Sequence, residues 1–362
     1  MEFTLLSIEN IIFSNKFPNN LLDKHNAFPD CIRFKNKVYL SFRSAPYHQP
    51  NNKSIIIVVS SIDENKWSLE KIFKIPNFDV RDPKLVVYKN TLHLYFAVVK
   101  PFKHRKHPVG IYHTKLLKDN RWTQPKKIYK NEYLPSRVRV INDSLYMCVY
   151  KWSTKNPFNS ESRIIVSADG IKWGENTPFG ILVNEGTEAD FIITKSNKLL
   201  WVIRNDFSKK KGAGSIICLI KPDGTLFKIK NDARKFDSPL LFKSNGQIFL
   251  IARSQISFKG KYNIFQPSFP KILKNIINHS VYWFTKKSTA IWGFDEKKLL
   301  FSKQLDLPSC GDTGYCSIII ESEKSFVIYN YSSPLNLKKL SWRKGQNLPT
   351  SIYKYMINLK SR

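Results

Sequence analysis

Three arginines stand where chemistry could begin. Arg43, Arg204 and Arg253 each close the second half of the same recurring phrase, an apolar run, a short polar turn and a second apolar run. Arginine is scarce here: 13 of the 59 basic residues are Arg and the rest are Lys. Its planar fork of N–H donors grips a carboxylate in two places at once, where lysine offers only a point charge. Three such forks in corresponding positions describe a clamp for an anionic group, and forks held in a partly buried pocket demand an anion as partner. Any one of them alone reads equally well as a salt-bridged surface residue; the correspondence of all three carries the argument.

The elements that must position them are hairpins. The phrase occurs as Phe34–Arg43, Tyr88–Phe96, Val140–Tyr150, Ile193–Arg204, Phe242–Arg253 and Ile320–Asn330, with turns at Asn36, Asn90, Asn142, Asn197, Asn245 and Glu323. A repeat near 50 residues whose unit is a β-hairpin cannot bury its apolar face alone, so the copies must stack radially. Four-stranded antiparallel blades around a central channel fit that period, and six copies predict an all-β, six-bladed β-propeller occupying residues 1–362 as one domain. A strand near residues 3–13 is expected to close the ring on the last blade. The long gap between the fifth and sixth hairpins holds an insertion at about 257–287, where Pro270–Asn278 has apolar residues at helical spacing. Both a lid and a plain surface insertion fit it.

Composition narrows the function classes. Hydrophobic residues make up 42% of the 362, with 25 Phe, 16 Tyr and 8 Trp to fill a core. No run reaches the roughly 18 apolar residues of a membrane span. The N-terminus carries acids where a secretion signal needs basic residues, which predicts a cytoplasmic protein. Five cysteines, an odd number in apolar contexts, indicate buried thiols rather than a disulfide framework or a zinc site. Neither a metal nor an organic cofactor is expected. The net charge of +31 invites nucleic acid as a partner. Yet the lysines are dispersed, with short clusters only at 103–107 and 209–211, and no nucleic-acid-binding signature occurs. A general attraction to acidic carbohydrate, on a monomer, is the expectation.

Two outer turns bear a shared pattern. Ser167-Ala-Asp-Gly-Ile-Lys-Trp173 reads S-x-D-G-x-x-W, and Ser61-Ile-Asp-Glu-Asn-Lys-Trp67 is a degenerate copy. The Asp caps its own turn, a Gly or Asn takes the positive-φ position and the Trp packs beneath. This resembles the Asp-box of sialidases. Between residues 25 and 335 an ordered set extends the resemblance: Asn26-Ala-Phe-Pro-Asp-Cys-Ile-Arg33 with Arg43, Asp79-Val-Arg-Asp-Pro-Lys-Leu85, Thr187-Glu188 with Arg204, Ser238-Pro239 with Arg253, and Gly311-Asp-Thr-Gly-Tyr-Cys-Ser317. The chain is similar to bacterial sialidase-like six-bladed propellers.

The resemblance implies a glycoside hydrolase that removes a terminal acidic sugar with retention. It implies that Arg43, Arg204 and Arg253 clamp the substrate carboxylate, that Tyr315 is the nucleophile and Glu188 its base, and that Asp82 is the acid/base. Arg81 and Asp312 complete the expected substrate-binding set. A neutral phenol suits an anionic substrate because a carboxylate nucleophile would be repelled by it, which is why sialidases depart from the two-carboxylate scheme. Two other readings stay open. A non-catalytic lectin would keep the clamp and drop turnover. A five-bladed furanosidase or arabinanase would use Asp30, Asp82 and Glu188 as its three acids.

Overall fold

The computed structural model describes residues 2–12, 17–102, 105–151, 160–179, 182–207, 213–264, 270–337 and 340–360. The lysine cluster at 209–211 and the start of the one at 103–107 lie outside the described residues. Six four-stranded antiparallel sheets follow one another along the chain. From the inner strand outwards, blade one is His25–Phe34, Lys37–Ala45, Ile55–Ser61 and Ser68–Phe73. The inner hairpins of the next four blades begin at Asp79, Tyr133, Ala189 and Asp237. Blade six is Thr313–Ile320, Ser325–Ser332 and Ser351–Lys360, and its outermost strand is Glu2–Asn10 from the other end of the chain. The fold is therefore the six-bladed propeller read from the repeat, which removes the structural basis of the five-bladed alternative.

The hairpins form where the sequence places turn formers. Lys89–Asn90, Asn142–Asp143 and Asn245–Gly246 each hold two successive residues at positive φ, the backbone of the two-residue turn that matches strand twist. Alternation along each strand then sends apolar side chains to both faces, and the cores lie between neighbouring blades. Phe34, Ile56, Val58 and Phe73 of blade one, for example, meet Leu85, Leu94, Phe96 and Val98 of blade two. The outer turns obey the capping chemistry expected of them. Asp169 accepts the Ile171 and Lys172 amides at 2.8 Å each, and Asp63 accepts those of Asn65 and Lys66 at 2.9 Å. In the second turn the positive-φ position is Glu64 rather than Gly or Asn, and its carboxylate takes the Tyr329 hydroxyl at 2.6 Å.

One irregularity recurs on the inner strands and decides where side chains point. The register slips between Ala27 and Asp30, Arg81 and Lys84, Pro135 and Arg137, Asp237 and Leu240, and Gly314 and Ser317. In blade four, Arg204 pairs through its carbonyl with Thr187 and through its amide with Glu188, two residues against one. Each blade thus has a bulge near the start of its inner strand. Three bulges carry a proline, at 29, 83 and 239, whose missing N–H leaves no ladder donor to satisfy. Phe28, Asp82, Ser238 and Tyr315 are held at φ between 51° and 61° there. Such values cost a non-glycine residue of order 1–2 kcal/mol.

The insertion in blade five contains helix α1, Lys271–Phe284, longer than the apolar spacing of Pro270–Asn278 indicated. A short helix α2, Trp342–Gly345, packs near it. Among the described residues no helix is long and apolar enough to cross a membrane.

Candidate functional site

The bulges bring their side chains to one mouth of the channel. The Tyr315 ring meets Phe28 edge-on at 5.0 Å, and its hydroxyl lies beside the Glu188 carboxylate and the Tyr150 hydroxyl, both of which act on it electrostatically. Glu188 Oε2 accepts the Ser238 amide and hydroxyl at 2.9 Å each, and Oε1 lies 2.8 Å from Arg204 Nη1. These contacts join blades one, three, four, five and six, which only side chains reaching the axis can do. Asp82 completes the group. Its charge acts on Tyr315, Tyr150 and Arg81, and among the described residues its buried Oδ2 has no hydrogen-bond partner.

The electrostatics suit a neutral phenol with a base beside it. Burial, then the charges of Asp82 and Glu188, push the Tyr315 hydroxyl well above the usual tyrosine range. Attack by its oxygen therefore requires proton transfer at the moment of reaction, and Glu188 is placed to receive that proton. Lys84 Nζ sits 5.0 Å from the centre of the Tyr315 ring, buried and without a hydrogen-bond partner among the described residues. Burial, and next the charge of Arg137, bring its ammonium down to about 8.

Arg43, Arg204 and Arg253 all lie at the bulged end. Arg43 is opposite Ala27, Arg204 opposite Glu188, and Arg253 opposite Asp237. Here the reading of unsatisfied forks is corrected. Asp79, the first residue of blade two, pairs with Arg43 at 2.7 Å and with Arg81 at 2.9 Å. Asp237, the first residue of blade five, pairs with Arg204 Nε at 2.9 Å and with Arg253 at 3.2 Å, while Asp206 lies 2.8 Å from the same Arg204 Nε and accepts from Arg204 Nη2 at 3.1 Å. Arg43 also donates to the carbonyls of Tyr47 and Gln49, and Arg253 to that of Thr313. A buried guanidinium without a counter-charge is too costly to persist, and the fold supplies carboxylates from the same blade for Arg253, from the next blade for Arg43 and from both for Arg204. Burial opposes the charge of Arg204, yet Asp206, Asp237 and Glu188 outweigh it and hold the guanidinium well above its ordinary range.

Arg81 does not stand free to meet a substrate; besides Asp79 it donates to the His48 carbonyl at 2.7 Å and lies over the Phe28 ring. Asp312 is likewise engaged. Its Oδ2 receives His25 Nε2 at 2.9 Å and His48 Nδ1 at 2.6 Å, and its Oδ1 receives Tyr331 at 3.0 Å and Trp342 Nε1 at 2.9 Å. Two histidines and a carboxylate are a plausible donor set for a metal by type. Their separations, however, are those of hydrogen bonds, and burial lowers both imidazoles, His48 to about 3, so each is neutral and can donate one N–H. Asp30 lies deeper in the channel, accepting the Leu85 amide at 2.6 Å and facing Arg137 at 3.7 Å, away from the Asp82–Glu188 pair.

Sequence reasoning missed Asp79, Asp206 and Asp237, and also Tyr150 and Lys84. Tyr150 had a signal, since it closes the third hairpin where arginine closes three others. The aspartates had one too, in hindsight of the geometry. Asp79 and Asp237 each open an inner strand a few residues before a proline bulge.

No family model matches the chain, and no curated protein matches it in sequence. Solved structures do resemble it. A protein of unknown function from Dyadobacter fermentans superposes with a TM-score of 0.69 at 14% identity over 99% of this chain and all of that one. A Trypanosoma rangeli sialidase mutant displaying trans-sialidase activity gives 0.66 at 11% identity over 98% of this chain. The phage phi92 endosialidase gives 0.63 at 9% over 98%. This chain spans 59% and 69% of those two enzymes. At such identities the likeness is one of fold, and the six-bladed propeller of these sialidases is the architecture that this chain shares.

Proposed function

We propose that the chain is a glycoside hydrolase of sialidase type acting on a terminal acidic sugar. The observation that carries this reading is the buried grouping of Tyr315 with Glu188 and Asp82, whose charges act on its hydroxyl, three residue types from three blades set on equivalent bulges. In the first step Asp82, as the acid, gives its proton to the glycosidic oxygen as that oxygen leaves the anomeric carbon. The Tyr315 oxygen bonds to the same carbon and its proton passes to Glu188. In the second step Asp82, now a carboxylate, takes a proton from water. The water oxygen displaces the Tyr315 oxygen, which regains its proton from Glu188, and configuration is retained overall. The substrate carboxylate would sit on the N–H groups that Asp79, Asp206 and Asp237 leave over on the arginines.

The internal pairing of all three arginines favours a second reading, a weakly anion-selective glycan-binding propeller without turnover. Aryl glycosides of sialic and uronic acids separate the two. The first reading expects release of the aryl group by the wild type, loss of it in Tyr315→Phe, and a decrease of about 10²–10⁴-fold in kcat for Asp82→Asn and Glu188→Gln. Turnover surviving in Tyr315→Phe removes Tyr315 as nucleophile. Glycan binding with no turnover in the wild type selects the second reading.

A further inference from the structure

Helix α1 is inside out. An amphipathic helix on a protein in water buries its apolar stripe and shows its polar one. Here Lys274 and Asn278 are 9% and 1% exposed, whereas Ile272, Leu273, Ile276 and Phe284 are 66%, 47%, 54% and 70% exposed. At about 100° per residue these four lie within one arc of roughly 120°. Ile256 and Phe258, at the start of the same insertion, are also more than half exposed. Packing fixes this orientation. On the buried side the Tyr282 hydroxyl hydrogen-bonds to Asp237, Lys287 donates to the Tyr282 carbonyl at 2.7 Å, and Asn278 hydrogen-bonds to Asn263 and the Ile264 amide. Single exposed apolar residues are ordinary, but a contiguous face of them marks a docking surface.

The charge around that face selects the occupant. No Asp or Glu occurs between Asp237 and Asp295, and Lys259, Lys261 and Lys286 are exposed cations of the same insertion, as is Lys344 on α2, which packs against α1. An exposed apolar face on a segment rich in exposed lysine and free of acids matches the boundary of an anionic bilayer, where acyl chains take the apolar side chains and phosphate headgroups the lysines. We propose that the insertion docks this protein peripherally on anionic lipid membranes. The helix enters between Gln255 and Lys287, two residues beyond Arg253, and Trp342 of the adjoining α2 lies 4.8 Å over Arg253. Docking through α1 therefore turns the bulged mouth of the channel toward the membrane, and the site acts on groups displayed from that surface.

Co-sedimentation tests this with vesicles of phosphatidylcholine alone and of phosphatidylcholine mixed equally with phosphatidylglycerol. The wild type is expected to pellet with the mixed vesicles and weakly with phosphatidylcholine alone. Replacing Ile272, Ile276 and Phe284 together by Ser leaves the charge at +31 and is expected to lower partitioning at least tenfold. Phe284→Ser alone, at the most exposed position, is expected to lower it severalfold with an unchanged thermal melt. Lys259→Gln with Lys261→Gln and Lys286→Gln is expected to lower it as well. Failure of the wild type to pellet overturns the proposal. Undiminished pelleting of both Ser variants also does, because net charge alone then accounts for it. So does a wild-type dimer that the triple Ser variant dissolves, since a second copy then covers the face.

Discussion

At the scale of single residues, the site is a set of charges held away from water, so its behaviour should follow pH and counter-charge. Lys84 is the clearest case. Its ammonium is brought down to about 8 from an ordinary 10.5, so the unfolded chain holds a proton there that the folded chain has released. Stability therefore rises with pH between about 8 and 10.5, and below that window the buried charge weighs against folding. Lys84→Met should remove a slope of up to about 1.4 kcal/mol per pH unit across the window, measured by urea unfolding at successive pH values. Asp237 works in the opposite sense. Asp237→Asn leaves Arg204, Arg253 and Lys235 short of a shared counter-charge in the interior and should cost about 3–5 kcal/mol in the same assay.

At the scale of the element, the inner strand with its bulge is the unit that makes a site from a scaffold. A regular strand would send residues 28, 82, 188, 238 and 315 alternately into the inter-blade cores. The added residue breaks that alternation and directs them at the axis. The second strand supplies the arginine, and the next blade's first residue supplies its aspartate, as Arg43–Asp79 and Arg204–Asp237 both show. Blade four is tight where its third strand begins. Gly214 has φ 135°, and a Cβ there would come within 2.1 Å of the Asp232 carbonyl oxygen. Gly214→Ala should thus force the outer strands of that blade apart and lower stability by more than about 2 kcal/mol, seen as a shift of the denaturation midpoint. The repeat, the turns and the arginine positions were legible in the sequence because each is a local pattern of period two or a turn-forming dipeptide. The partners that come from the next blade, Asp79 for Arg43 and Asp237 for Arg204, were not, because no local pattern links them to their arginine.

At the scale of the whole molecule, closure is made by strand Glu2–Asn10 against Ser351–Lys360, with Phe3 seated at 4.9 Å from Phe249 of blade five. The two ends of the chain thus meet in one sheet, and the ring is locked only after the last strand has formed. Removing residues 1–12 should open an edge on the final blade and expose Tyr355 and Ile357 neighbours of the core. A lower and broader thermal transition is the expected outcome, with self-association through the unpaired edge detected by sedimentation. The mouth of the channel is the other whole-molecule property. A circuit of interacting charges runs from Arg43 and Arg81 through His25, His48 and Asp312 to Arg253, then by ion pairs through Asp237 to Arg204 and Glu188, beside Tyr315. Five of the six blades contribute to it, blade three alone supplying none of these residues.

By itself the sequence determined the blade count, the hairpins, the closing N-terminal strand and the identity of Tyr315, Glu188 and Asp82 as residues worth bringing together. The first three follow from periodicity and from turn chemistry, which act over a few residues and so leave a local trace; Tyr315, Glu188 and Asp82 were what the resemblance to sialidases implied. Only the tertiary structure decided that the arginines are satisfied by Asp79, Asp206 and Asp237, that Asp312 is taken up by two histidines, and that α1 turns its apolar face outward. Each of these depends on which group of another blade or loop reaches a buried charge first. A chain whose cations so outnumber its acids states the need for counter-charges in its composition, but their places are fixed only when the ring closes.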